Sequence, residues 1–199
     1  AHLNAMPYGI ADSIGFHDAF SVFDLVVPNF RGEENESLFG LIDGRSHSSL
    51  AGTRIARYIN DRAAHVLDEE LRRLPSPPAI NDPVPMAIRR AFLRLNQMYA
   101  EYVLRVHAEH TEPPHTGEMH GSQEVFWGWG SVTSPDMHLW QSGAMALLVY
   151  QRQHTLYVAN IGQTVAVLSR AGGMVRVLGK QHDPLPVSYT HLRAHETRE

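Results

Sequence analysis

The chain of 199 residues contains no cysteine. That removes disulfide scaffolds and thiolate metal sites, and it is compatible with a reducing compartment. No apolar run reaches the length of a bilayer-spanning helix, and the N-terminus lacks the basic-then-apolar order of a leader. Basic charge is scarce as well: 17 Lys and Arg stand against 21 Asp and Glu, with a net charge of -4 and a pI near 6.4. No basic cluster dominates any segment, which argues against a nucleic-acid partner or an anionic-membrane surface. An initiating Met is missing too, in text that reads as domain interior, so a fragment is expected. What is present is 43% hydrophobic residues, enough for one sizeable core and too few for two generous domains.

Organisation follows from periodicity. Tyr8 to Ile14 and Phe20 to Val27 are rich in aromatic and β-branched residues and predict two short strands. Arg31 to Glu36 is a charged turn leading to Leu38-Phe39-Gly40-Leu41-Ile42-Asp43-Gly44, a short apolar run that predicts a buried strand ending on an acid and a turn-forming glycine. From Ser49 to Leu74 the residues Ile55, Ile59, Ala63, Val66, Leu67, Leu71 and Leu74 recur at helical spacing, with Arg54, Arg57, Asp61, Glu69 and Arg72 on the other side. The prolines between Pro75 and Pro85 break that helix. A second helix is predicted from Pro85 to His110, with Ile88, Phe92, Leu95, Tyr99, Val103 and Val106 inward. Thr111 to Gln141 reads as an insertion or loop with a short strand at Val125 to Trp129. Hairpins follow at Ala144 to Gln151, Thr155 to Ile161 and Thr164 to Ser169, then a Gly172-Gly173 turn and Met174 to Leu178.

Strands, two long helices and strands again predict an α+β domain with helices segregated on a sheet face. Ile10, Val22, Leu25, Leu41, Ile42, Leu147, Val149, Val158 and Val167 are expected to line one sheet system. The helices should pack together on its face.

Three ordered motifs carry a family resemblance: Phe39 to Gly44, Ser142-Gly143-Ala144-Met145-Ala146, and Val158-Ala159-Asn160-Ile161-Gly162 running into Thr164 to Arg170. With Gln181-His182-Asp183-Pro184 after them, the chain resembles the metal-dependent (PPM-type) serine/threonine phosphatases from about Tyr8 to Pro186. The resemblance implies an antiparallel β-sandwich flanked by helices, four layers in the order α-β-β-α, here truncated. It also implies paired Mg²⁺ or Mn²⁺ ions activating a water. By position Asp43 would be a metal ligand and Gly44 would bind through its carbonyl.

Departures from the pattern are several. The family's Arg-x-x-Met-Glu-Asp motif matches Ser21-Val22-Phe23-Asp24, which puts a phenyl ring at the metal-binding Glu; a one-residue shift would make Asp24 the ligand. No arginine precedes Arg31, so neither His17 nor Ala19 supplies the phosphate-gripping fork. Arg45-Ser46-His47 replaces His-Gly-Gly, and Gly162-Gln163-Thr164-Val165 replaces Gly-Asp-Ser-Arg. Asp43 either ligates a cation or caps its own turn.

Retention of the Asp-Gly strand amid these losses is similar to the phosphatase-like domain of fungal adenylate cyclases, seen in Tyr8 to Asp12 and Phe30 to Leu38. Animal leucine-rich-repeat phosphatases are a second match. The expectation is a degenerate regulatory domain with no catalytic residue and no cofactor of its own. Its partners would be leucine-rich-repeat and cyclase domains of one polypeptide, which makes cyclic AMP with Mg²⁺ and is cytoplasmic, peripheral to a membrane through the parent. The alternative is an active Mg²⁺- or Mn²⁺-dependent phosphatase.

Val187 to Glu199 reads as translated sequencing-adapter DNA. A partial domain over 1–186 and a non-native tail are therefore expected. Weaker candidates are His107, His110, His115 and His120, for which a solvated helix end competes with zinc. Trp127 and Trp129 could form a recognition patch or pack into the core.

Overall fold

The computed structural model describes residues 9–11, 21–46, 49–75, 82–110, 141–179 and 195–196. Strands β1 (Val22–Val27) and β2 (Glu36–Arg45) precede helices α1 (Ser49–Arg72) and α2 (Val84–His110). Then come β3 (Gly143–Arg152), β4 (Thr155–Ile161), β5 (Ala166–Ser169), β6 (Val175–Leu178) and the two-residue β7 (His195–Glu196). One antiparallel sheet has the order β1-β2-β3-β4-β7, and β5 pairs with β6 in a separate two-stranded sheet.

Side chains alternate across the main sheet, so each strand has two destinations. One face carries Leu25, Leu38, Ile42, Leu148, Tyr150 and Ala159 into a core closed by Ala56, Ala63, Val66 and Leu67 of α1 and by Ile88, Ala91, Phe92 and Leu95 of α2. Each fully buried Leu, Ile or Val contributes about 1.5–3 kcal/mol. Both helices lie together on this face, as their periodicity predicts. Asp82 fixes the entry to α2: its carboxylate accepts from the Val84 N–H at 3.0 Å and from the Tyr157 hydroxyl. Pro83 and Pro85 flank Val84 at the helix start, where a missing N–H costs little.

The opposite face is only partly covered. The β5–β6 hairpin lies over its β3–β4 end, where Ala166, Leu168 and Leu178 meet Leu147, Val149 and Val158. Leu41 on the same face is 44% exposed. The expectation of one sheet system holding Ile10 and Val167 therefore needs correction. Val167 sits in the second sheet and, with Val165, Val175 and Val177, points outward, while Ile10 is exposed. Residues 9–11 form no strand; the remainder of the Tyr8 to Ile14 segment, and positions 111–140 of the expected insertion, lie outside the described residues.

Two further expectations change at β2. The predicted turn at Asp43-Gly44 is strand: pairing continues through Gly44↔Ala144 and Arg45↔Gly143. Gly44 is glycine because α1 packs there, since an added Cβ would stand 1.8 Å from the Gly52 carbonyl oxygen. At the other end, Glu36 does not close the charged turn but opens β2 and is buried. Its carboxylate accepts from the Tyr150 hydroxyl at 2.7 Å and faces Arg31 at 3.6 Å and Arg152 at 3.4 Å. Arg31 reaches both Glu36 and Asp68 of α1 from a left-handed backbone (φ 64°), a conformation that costs a non-glycine residue on the order of 1 kcal/mol.

Candidate functional site

Register decides what shares a face with Asp43. Val22 pairs with Asp43, Phe23 with Ile42 and Asp24 with Leu41. Since Ile42 points into the helix-side core, so does Phe23, which packs against that cluster with the Arg57 guanidinium 5.5 Å from its ring centroid. Asp24 and Asp43 project from the outer face. They are diagonal neighbours on adjacent strands, a separation of roughly 7–8 Å between such positions. Phe23 is thus on the wrong side of the sheet to replace a metal ligand, whereas Asp24 shares Asp43's side.

The carboxylate of Asp43 has protein partners. Arg45, two residues on and so on the same face, places its Nη2 2.7 Å from Asp43 Oδ2. The Ser21 hydroxyl donates to Oδ1 at 3.2 Å. The sequence signal for Arg45 was available in the i, i+2 spacing on a strand; Ser21 could be placed only once the β1–β2 register was known. Gly44 donates its N–H to the Ser21 carbonyl at 2.9 Å, and its own carbonyl lies 3.0 Å from where a Gly52 Cβ would stand.

Beside Asp24 the outer face forms an open groove of about 330 Å³, lined by Val26, Phe39, Leu41, Leu147 and Val149. An apolar lining suits a side chain or a packed strand better than a phosphate. The third motif has a structural task here: Asn160 is buried, and its Nδ2 donates to the Thr164 carbonyl at 3.3 Å. The Thr164 hydroxyl donates to the Ala146 carbonyl at 3.2 Å. Gly162 takes φ +80°, and any Cβ there would meet Met145 at 2.6 Å.

A divalent Mg²⁺ or Mn²⁺ centre needs several converging oxygen ligands. Among the described residues no three His, Cys, Asp or Glu side chains converge in that way. Asp43 already balances a guanidinium, so the described residues do not fit a two-metal centre. The histidine cluster and the Trp127–Trp129 patch lie outside the residues whose side chains are described.

The family model for protein phosphatase 2C matches residues 129–186. Along most of its length the chain is similar to fungal adenylate cyclases: 38% identity over 190 residues with that of Mycosarcoma maydis, covering 92% of this chain and 7% of the relative. The Podospora anserina protein is 35% identical over 94% of this chain and 8% of its own length. The chain thus spans less than a tenth of these relatives. A bacterial serine phosphatase has a TM-score of 0.55 at 13% identity, with 94% of this chain and 66% of that one aligned. A sex-determining protein of C. elegans gives 0.54 at 16%, with 85% and 33% aligned. By sequence, residues 129–186 match phosphatase 2C, and the chain along most of its length is similar to a segment of fungal adenylate cyclases. Its mixed helix and antiparallel-sheet fold is similar to that of the bacterial serine phosphatase, with one helix pair among the described residues.

Proposed function

We propose that this domain is a phosphatase-like module without phosphatase turnover, acting as a regulatory and interaction element within a fungal adenylate cyclase. The observation that carries the reading is the Asp43–Arg45 ion pair at 2.7 Å. A cationic side chain occupies the carboxylate that a divalent ion would need, and bringing in a metal means breaking that pair. The apolar groove beside Asp24 supports it further. The parent chain would form cyclic AMP from ATP with Mg²⁺ in a separate cyclase domain, and neighbouring leucine-rich-repeat and cyclase domains would be the module's partners. Its site would be cytoplasmic and peripheral to a membrane through the parent. Among the described residues no helix is long and apolar enough to cross one.

The rival reading is an active Mg²⁺- or Mn²⁺-dependent serine/threonine phosphatase, with Asp24 and Asp43 as paired ligands and Gly44 contributing its carbonyl. It rests on those two carboxylates sharing one face. Hydrolysis of a phosphoserine peptide by the intact parent, with Mn²⁺ added, separates the two. Equal background rates in the wild type and its Asp43→Asn variant are expected. Metal-dependent turnover lost in Asp43→Asn would promote the rival. In the same parent, deleting the module should alter regulated cyclic AMP output while leaving the cyclase chemistry competent; unchanged basal and regulated output would remove the proposed role.

A further inference from the structure

Helix α2 buries one side against the sheet and α1 and leaves Met86, Leu93 and Leu104 about half exposed, at 47%, 55% and 54%. At 3.6 residues per turn these three lie within roughly 20° of one another around the helix, forming a stripe about 27 Å long. The positions between them on that stripe are Arg90, Gln97 and Ala100, all exposed. The spacing is that of a coiled-coil seam, 86, 93 and 100 alternating with 90, 97 and 104.

Reversed upon itself, this stripe is complementary. An antiparallel copy centred on Leu95 sets Met86 against Leu104, Leu93 against Gln97 and Arg90 against Ala100, and each layer recurs by symmetry. A two-fold axis perpendicular to the helix pair keeps each flank with its own kind. Arg90 then meets Glu101 of the other copy on one shared flank, twice per dimer. The small Ala100 leaves room for the Arg90 stem, and Glu101 receives its head. Arg90 has no hydrogen-bond or ion-pair partner among the described residues, whereas Arg94, on the same flank, is held by Glu69 and Glu70 of α1. Glu101 is exposed and, among the described residues, hydrogen-bonded only by the Gln97 amide, 2.9 Å away. Both charges are therefore available to a partner.

We infer that the outer face of α2 is an isologous interface through which two copies of this chain associate antiparallel. A basic and half-apolar helix could instead meet an anionic lipid surface. The acid at position 101 and the self-matching register favour the second copy. With three large apolar side chains per protomer the dimer is weak and concentration-dependent.

Sedimentation equilibrium of the 199-residue chain over a range of concentrations tests it. Wild type should dimerise reversibly. Arg90→Glu and Glu101→Arg each turn two attractions into repulsions and should weaken association by about tenfold or more. An equimolar mixture of the two variants regenerates both pairs in a heterodimer and should recover wild-type affinity. These positions are exposed, so both variants should keep the parent's circular dichroism and melting profile. A wild-type chain monomeric at every concentration would overturn the inference, as would variants that dimerise unchanged. A monomer that sediments with phosphatidylserine vesicles and loses this with Arg90→Glu would replace it with the lipid reading.

Discussion

Tyr150 and Glu36 show how a charged residue in an apparently solvated segment becomes part of a core. Burial comes first and the accepting Glu36 carboxylate second in pushing the Tyr150 phenol well above its ordinary range. A raised folded-state value means that its stabilising contribution is complete below the unfolded phenol's ordinary pKa, roughly 10, and fades as pH climbs past it. Stability should therefore begin to fall near roughly pH 10 and keep falling as the pH climbs further toward the raised folded value, and Tyr150→Phe should flatten that fall. At neutral pH the same variant should lose about 1.5–3 kcal/mol in urea melts, the worth of a hydrogen bond to a charged group. An alkaline limb as steep in the variant as in the wild type would refute the assignment. Gly44 supplies a second residue-scale test. Gly44→Ala drives its Cβ into the Gly52 carbonyl at 1.8 Å and should destabilise by about 3 kcal/mol. Gly52→Ala meets Gly44's oxygen only at 3.0 Å and adds helix propensity, so it should cost far less.

At the scale of elements, what was legible in the sequence was what depends on neighbours along the chain. Both helices follow from apolar spacing and a proline-rich break. The hairpins of β3 to β6 follow from alternation and Gly172-Gly173. What was not legible depends on the partner strand. A slip of one residue exchanges the faces of Phe23 and Asp24, and no local pattern sets that register. The extent of β2 was missed for a related reason, since Asp43-Gly44 has the chemistry of a turn while its pairing to β3 is long-range. The resemblance supplied the sandwich and its helix layers but could not supply Ser21 as an Asp43 partner. The C-terminal β7 pairs only at Tyr157↔Glu196 and Val158↔His195. So short a ladder contributes little beyond the entropy lost in ordering it. Deleting 187–199 should leave the denaturant midpoint unchanged within error. A drop of about 1 kcal/mol or more on deletion would show that β7 guards the edge of β4.

At the scale of the molecule, buried surface among the described residues is concentrated between the helix pair and one face of the main sheet. The other face keeps an open groove and a hairpin that rests on three side chains, Ala166, Leu168 and Leu178. Small two-stranded sheets are marginal by themselves. The arrangement therefore divides the molecule in time as well as in space. Amides of β2 and β3, paired on both sides, should exchange with solvent only on global opening, while those of β5 and β6 should exchange through a cheaper, local release. Among the arginines of the described residues, brief trypsin treatment should accordingly cut first after Arg170 or Arg176, leaving the helix-covered sheet intact for much longer. The hairpin would come and go many times in the lifetime of a single folded core.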